Sequence, residues 1–254
     1  GTTLTTADVP AVDYYTNFNI TTDNKTVSST NKTFTVSCTP NFPFQEGKVY
    51  KMYGNKASSN CFTYNDDTNK RATYEGKKTE VNGKSYWTFE HISGTENKFY
   101  VYNLGAKMYL ALTDARAYAS FVTESGTIAN YSRVIRITPN GTGFNPPHET
   151  GTAGCGTHIG DGTNEAKGMG TWANSASPSN DASRVFIYEI NNELTALANN
   201  PVTTGEYVGE TTLPRLTTTA AAAGSNPTKE NVLACIDAMD NPQLSEYLTA
   251  GKCY

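Results

Sequence analysis

A mainly β fold, built from three repeated units closed about a pseudo-threefold axis, is what this sequence predicts. Three observations lead there. A strand-like stretch returns twice: "SYWTFEHI" from Ser85, "SRVIRIT" from Ser132 and "SRVFIYEI" from Ser183, at intervals of 47 and 51 residues. Within each copy apolar and polar residues alternate, the period-two pattern of a half-buried strand. Much of the apolar area is carried by 16 Tyr and 10 Phe, while charged residues are only 17%, and aromatic side chains suit the pleated surface of a sheet. A recurring period of this length marks a repeat architecture. Three units are too few for a solenoid, but closure into a ring removes the exposed sheet edges that an open β-structure must protect.

Residues 1–45 are a polar extension. Within it "KTFTVSC", Lys32 to Cys38, alternates as a strand, and "TPNFPFQEG" breaks the chain with two prolines and a glycine. Residues 46–191 hold the three units, each of about four short strands. The first opens with "KVYKMYGN" and the second with "KFYVYNLGAKMYLAL". The third opens less regularly around "GFNPPHETGTAGCGTHIGDG". Residues 192–254 change character and form a small helical appendage. "NELTALANN" supplies one or two helical turns, and "TTLPRLTTTAAAAGSNPT" reads as low complexity. "TKENVLACIDAM" is the best helix, with Val232, Leu233, Ile236 and Met239 at helical spacing and Asn226-Pro227-Thr228 before it. "NPQLSEYLTAGKCY" reads as a further short helix.

The order and spacing of "PFQEGKVYKMY", "KMYLAL", Ser85-Tyr-Trp87 and the stretch holding His158, Trp172, Asp181 and Ser183 resemble the ricin-type β-trefoil lectins. They are most similar to trefoil domains attached to surface proteins and glycoside hydrolases of gut bacteria. The resemblance covers roughly residues 42–191. It implies a β-trefoil and a non-catalytic glycan-binding module, with a glycan or host glycoprotein as partner, as part of a larger multidomain protein. The Q-x-W of ricin-type lectins is absent. Ser replaces its Gln, and Val134 and Val185 replace its Trp, which is a core residue in the family.

Bulk properties narrow the function classes. A net charge of -4, with no run of Lys or Arg, argues against duplex nucleic acid, which requires many phosphate-neutralising cations. No segment reaches the ~20 apolar residues of a spanning helix. The Thr/Asn/Ser-rich composition and the absence of an initial Met fit a processed, secreted or surface protein. The odd set Cys38, Cys61, Cys155, Cys235 and Cys253 allows one or two bridges, with Cys38–Cys61 and Cys235–Cys253 the nearest pairs.

Candidate site residues fall in turns. Trp172, in "GMGTWANSAS", suits stacking on the apolar face of a sugar, with Asn174 supplying an amide. The same Trp also suits a place in the core of the third unit. "HETGTAGCGTHIGDG" concentrates His148, Glu149, Cys155, His158 and Asp161, and 9 of the 21 glycines lie between 141 and 170. His158 and Asp161 are taken with Trp172 as sugar contacts. A zinc site at His148, Cys155 and His158, with Asp161 as a further ligand, is a weaker alternative, as is a Cys155–His158 hydrolase pair. In the first unit "NCFTYNDDTNKR" offers Tyr64, Asp66 and Asp67, and the matching stretch of the second, "ALTDARAY", offers Asp114 and Tyr118. Trp87 belongs to the core by its place in the repeat. No cofactor and no catalytic residue is assigned. A protein-interaction or inhibitor trefoil is the alternative function.

Overall fold

The computed structural model describes residues 2–23, 25–27, 33–54, 60–65, 71–115, 117–146, 148–149, 154–159, 168–172, 184–199 and 214–241, with the backbone alone for 154–159, Trp172 and Pro214. The chain forms two compact units, Gly1–Pro43 and Phe44–Tyr254. In the first, β1 (Tyr15–Ile20) pairs antiparallel with β2 (Val36–Pro40). A bulge falls between Thr16 and Asn19, and Asn17 takes a positive φ there. Asparagine is one of the few non-glycine residues that tolerate this backbone region.

The second unit is a ring of strands with three hairpins. Its strands are β3 (Val49–Gly54), β4 (Asn60–Asn65), β5 (Arg71–Lys77), β6 (Trp87–His91), β7 (Lys98–Asn103), β8 (Met108–Ala111), β9 (Ala117–Tyr118), β10 (Ser120–Val122), β11 (Val134–Arg136), β12 (Thr138–Asn140), β13 (Gly143–Asn145), β14 (Gly154–Ile159), β15 (Gly168–Trp172) and β16 (Val185–Glu189). The order β16-β3-β6-β7-β11 is antiparallel throughout. An isolated bridge from Ile135 to His148 links β11 to the chain just beyond β13, and β13 pairs back to β16. That circuit closes a six-stranded barrel. The hairpins β4–β5, β8–β10 and β14–β15 stand on it, and β15 touches both of the others, pairing with β5 and with β9. A closed six-stranded barrel carrying three mutually contacting hairpins, one from each repeat, is a β-trefoil.

The recurring stretch seen in the sequence becomes β6, β11 and β16, the closing strand of each unit. Inside the barrel Phe44 stacks on Phe89 at 4.0 Å and meets Phe99 edge-on at 5.1 Å, with Phe144 completing the cluster. These rings come from different units, so no single repeat can bury its own apolar face. Trp87 is fully buried, as its place in the repeat predicts, and its indole N–H donates to the Phe62 carbonyl at 3.1 Å. Each such side chain contributes roughly 1.5–3 kcal/mol through burial.

Among the described residues three helices follow: α1 (Asn191–Asn199), α2 (Pro214–Ser225) and α3 (Lys229–Asp240). They are packed on the barrel. Leu194, Leu216, Val232 and Cys235 share one apolar cluster with Val49, Tyr86 and Leu104 of the trefoil. The segment that reads as low complexity is helix α2. Its alanines have the highest helix propensity, and Pro214 fits the first helical position. Thr228 caps α3 as expected, accepting from the Asn231 N–H at 3.3 Å. The helix expected over "NPQLSEYLTAGKCY" lies outside the described residues. Cys38, Cys61 and Cys235 are free thiols, so neither sequence-adjacent pairing that includes them is formed.

Candidate functional site

An open cleft of the trefoil lies at the end of its second repeat, where three separated segments, the last from the start of the third repeat, converge. The turn after β8 brings Thr113, Asp114 and Ala115; the loop before β11 brings Asn130, Tyr131 and Ser132; the segment beyond β13 brings His148 and Glu149. Together they line a cleft of about 540 Å³, within the size range of small-ligand sites.

Local sequence explains each placement. Leu112 and Ser132 exchange both backbone hydrogen bonds, at 2.9 and 2.7 Å, which clamps the first two segments side by side. Asn130 takes φ +64°, turning the chain sharply just before the clamp. The Thr113 hydroxyl accepts from the Ala115 N–H at 3.3 Å, a Thr turn that leaves Asp114 exposed at its tip. The bridge between Ile135 and His148 fixes the third segment. The Ser132 hydroxyl then donates to Glu149 Oε1 at 2.7 Å and accepts from the Val134 N–H at 3.1 Å. These bonds join loop, strand and carboxylate in one rigid wall.

The cleft is rich in acceptors. Asp114 and Glu149 are its two carboxylates, and Lys98 Nζ reaches Glu149 Oε2 at 3.9 Å. Arg133 faces away, its guanidinium lying over the rings of Tyr100 and Tyr109 and bonding to the Glu124 carbonyl. Tyr131 is half-buried; its hydroxyl donates to the Tyr118 carbonyl at 3.0 Å, and burial pushes its phenol above the ordinary range, so it stays a neutral donor. Such a surface, with carboxylate and amide groups around an aromatic residue, is equipped to take up hydroxyl groups.

The structure distributes the sequence-predicted residues unevenly. Asp114 is on the rim of the cleft. Tyr64, expected in a ligand-facing turn, is buried on β4 with its ring edge-on to Phe121 at 4.8 Å, so it serves packing. Asp66, Asp161 and Asn174 lie outside the described residues. His158 and Trp172 are on β14 and β15, with only their backbone described. His148, a ligand of the metal alternative, and Glu149 of the same stretch line the cleft with Asp114. Among the described residues no group of three or more His, Cys, Asp or Glu is arranged to hold a metal ion. Asn130, Tyr131 and Ser132 were not singled out as ligand contacts, although their position directly before the second copy of the repeated strand was a usable signal.

No protein-family model matches the chain, and no curated protein matches it. Solved structures resemble it. The designed threefold-symmetric protein ThreeFoil is 10% identical, with 56% of this chain and 98% of that one covered and a TM-score of 0.44. The Polyporus squamosus lectin, bound to a human-type influenza-binding epitope, is 12% identical over 62% of this chain and 55% of its own, with a TM-score of 0.46. The Macrolepiota procera ricin B-like lectin, in complex with lactose, is 12% identical over 57% and 98%, with a TM-score of 0.41. The trefoil assignment rests on the strand pairing.

Proposed function

We propose that the chain is a non-catalytic glycan-binding module of a secreted or cell-surface protein, and that the second-unit cleft is its principal site. The observation that carries this reading is the convergence of Asp114, Asn130, Tyr131 and Glu149, from three segments, on one open cleft. Sugar recognition needs hydrogen-bond acceptors and donors fixed in place before the ligand arrives, because ordering them on binding would cost affinity. Here the clamp between Leu112 and Ser132 and the Ser132–Glu149 bond fix them in advance. The resemblance to ricin-type lectins in the order of the sequence motifs supports the same reading, as does an exposed Asp in the turn of "ALTDARAY". The third-unit set of Trp172, His158, Asn174 and Asp161 is a second location within this proposal; Asp66, the first-unit residue expected from the sequence, is left out of it. Among the described residues no helix is long and apolar enough to cross a membrane.

A glycan array with the intact chain tests the proposal. Asp114→Ala is expected to weaken binding at least tenfold with the circular dichroism spectrum unchanged, since a lost hydrogen bond to a charged acceptor is worth about 1.5–3 kcal/mol. Binding that survives Asp114→Ala and disappears in Trp172→Ala would move the site to the third unit. Absence of binding to every glycan would sink the reading and favour a protein-interaction trefoil.

A further inference from the structure

The cleft of the second unit has a counterpart in the first, and the register of the strands locates it. Thr88 stands opposite Tyr102 as Ile135 stands opposite His148. Moving 47 residues along the repeat therefore carries Gly83, Lys84 and Ser85 onto Asn130, Tyr131 and Ser132, while on the facing strand the pairing register puts Tyr102 at the His148 position and Asn103, next to it, at that of Glu149. Both corners are tethered by the side chain at this position, with opposite sense: the Asn103 amide donates to the Lys84 carbonyl at 2.8 Å, whereas Glu149 accepts from the Ser132 hydroxyl at 2.7 Å. In the second unit this corner faces an open cleft. In the first it faces a helix. Gly83, Lys84 and Gly105 line a groove of about 220 Å³ whose other wall is Ile236, Met239 and Asp240 of α3.

The approach is close, and a methyl at Gly83 would require the end of the Ile236 side chain to shift. A Cβ on Gly83 would lie 2.9 Å from Ile236 Cδ1. Lys229, at the start of α3, places its Nζ 4.1 Å from the centre of the Tyr102 ring, the residue at the His148 position, and bonds to Glu90 at 2.9 Å. Backbone bonds from Val49 N–H to the Pro227 carbonyl at 2.8 Å and from Lys229 N–H to the Gly47 carbonyl at 3.2 Å hold the helix start. Val232, Cys235 and Ala238 are buried in the cluster with Val49, Tyr86 and Leu104.

We infer that α3 is a built-in wall over the first unit's copy of the binding corner, so that this corner is narrowed against ligand there and left open in the second unit. The confinement of ligand rests on the glycan-binding reading above; the seating of the helix does not. Two measurements on the full chain separate them. The first is a thermal double-mutant cycle with Gly83→Ala, Ile236→Ala and the pair. Each single change is expected to lower the Tm, and the pair to lower it by clearly less than the sum, because the added methyl enters the space that Ile236 vacates. Additive losses would overturn the seating of α3. The second is the glycan array with Asp114→Ala, Lys84→Ala and both together. Asp114→Ala is expected to remove at least nine-tenths of the signal, with Lys84→Ala within twofold of the parent. Binding that persists in Asp114→Ala and is removed by adding Lys84→Ala would overturn the confinement. If the parent chain binds no glycan, confinement falls together with the glycan reading, and the thermal cycle still decides whether α3 is seated over the corner.

Discussion

At the residue scale the most consequential side chain is Lys51. It is fully buried on β3, and its three N–H groups are shared among four acceptors, the carbonyls of Lys77, Lys78 and Glu80 at 3.0, 2.9 and 2.6 Å and Glu193 Oε2 at 2.8 Å. Tyr86 donates to the other oxygen of Glu193 at 2.5 Å. Nothing in "KVYKMY" announces this, because an alternating lysine reads as a solvated face until the partners, 26 to 142 residues away, are in place. Burial pushes the Glu193 carboxyl above the ordinary range, with the bonds from Lys51 and Tyr86 pulling partly back. A folded-state value above the unfolded one means that its contribution is full below the unfolded pKa of about 4.3 and is lost as pH rises through the folded value. Urea unfolding of Glu193→Gln should therefore depend less on pH than that of the parent chain from about 4.3 upward. A parent midpoint that climbs relative to Glu193→Gln over that range would contradict this. The thiols make a second residue-level expectation. Burial pushes Cys235 up to about 11 and raises Cys61 too, while Cys38 is exposed. Alkylation at pH 8 read by peptide mass should modify Cys38 in the native protein and reach Cys61 and Cys235 only after denaturation; native labelling of Cys235 would refute it.

At the scale of elements, the strands were legible and part of the helical region was not. Alternation exposed β6, β11 and β16, because each puts apolar residues on one face. β1 was missed: "YTNFNI" carries two asparagines and a bulge, and its only fully buried residue is Ile20. α2 was passed over because a run of three threonines weakened the pattern, yet four consecutive alanines, of the best helix-forming type, follow them. The reason for small residues is visible in the packing of α2 on α1. A Cβ at Gly224 would stand 2.9 Å from the backbone nitrogen of Thr195 and 2.7 Å from its hydroxyl. In an unhindered helix, Gly→Ala is worth about 1 kcal/mol of stabilisation. Here the backbone contact reverses the sign, and Gly224→Ala should lower the Tm by several degrees in a circular dichroism melt. An increase would show that α1 and α2 can separate without cost.

On the scale of the whole molecule, the threefold repeat was readable because it is written in hydrophobic spacing, which sequence carries directly. The cleft was not, apart from Asp114, since Asn130, Tyr131, His148 and Glu149 meet only when the barrel closes. The helices are a working part of the larger unit. Without them Val49, Tyr86 and Leu104 would face water and Lys51 would lose its carboxylate partner. A chain ending at residue 191 should accordingly bind a hydrophobic dye and unfold without a cooperative transition, and a sharp native-like melt would argue against this dependence. The repeat also carries an imbalance. Trp87 stands where the other two units have Val134 and Val185; Trp87 and Val185 are fully buried and Val134 only partly, so the three copies fill very different volumes. A protein engineer who tripled the first unit would have two extra indoles to house, and one who tripled the second would leave a hollow. The three segments have diverged into complementary parts, and their order along the chain is no longer interchangeable.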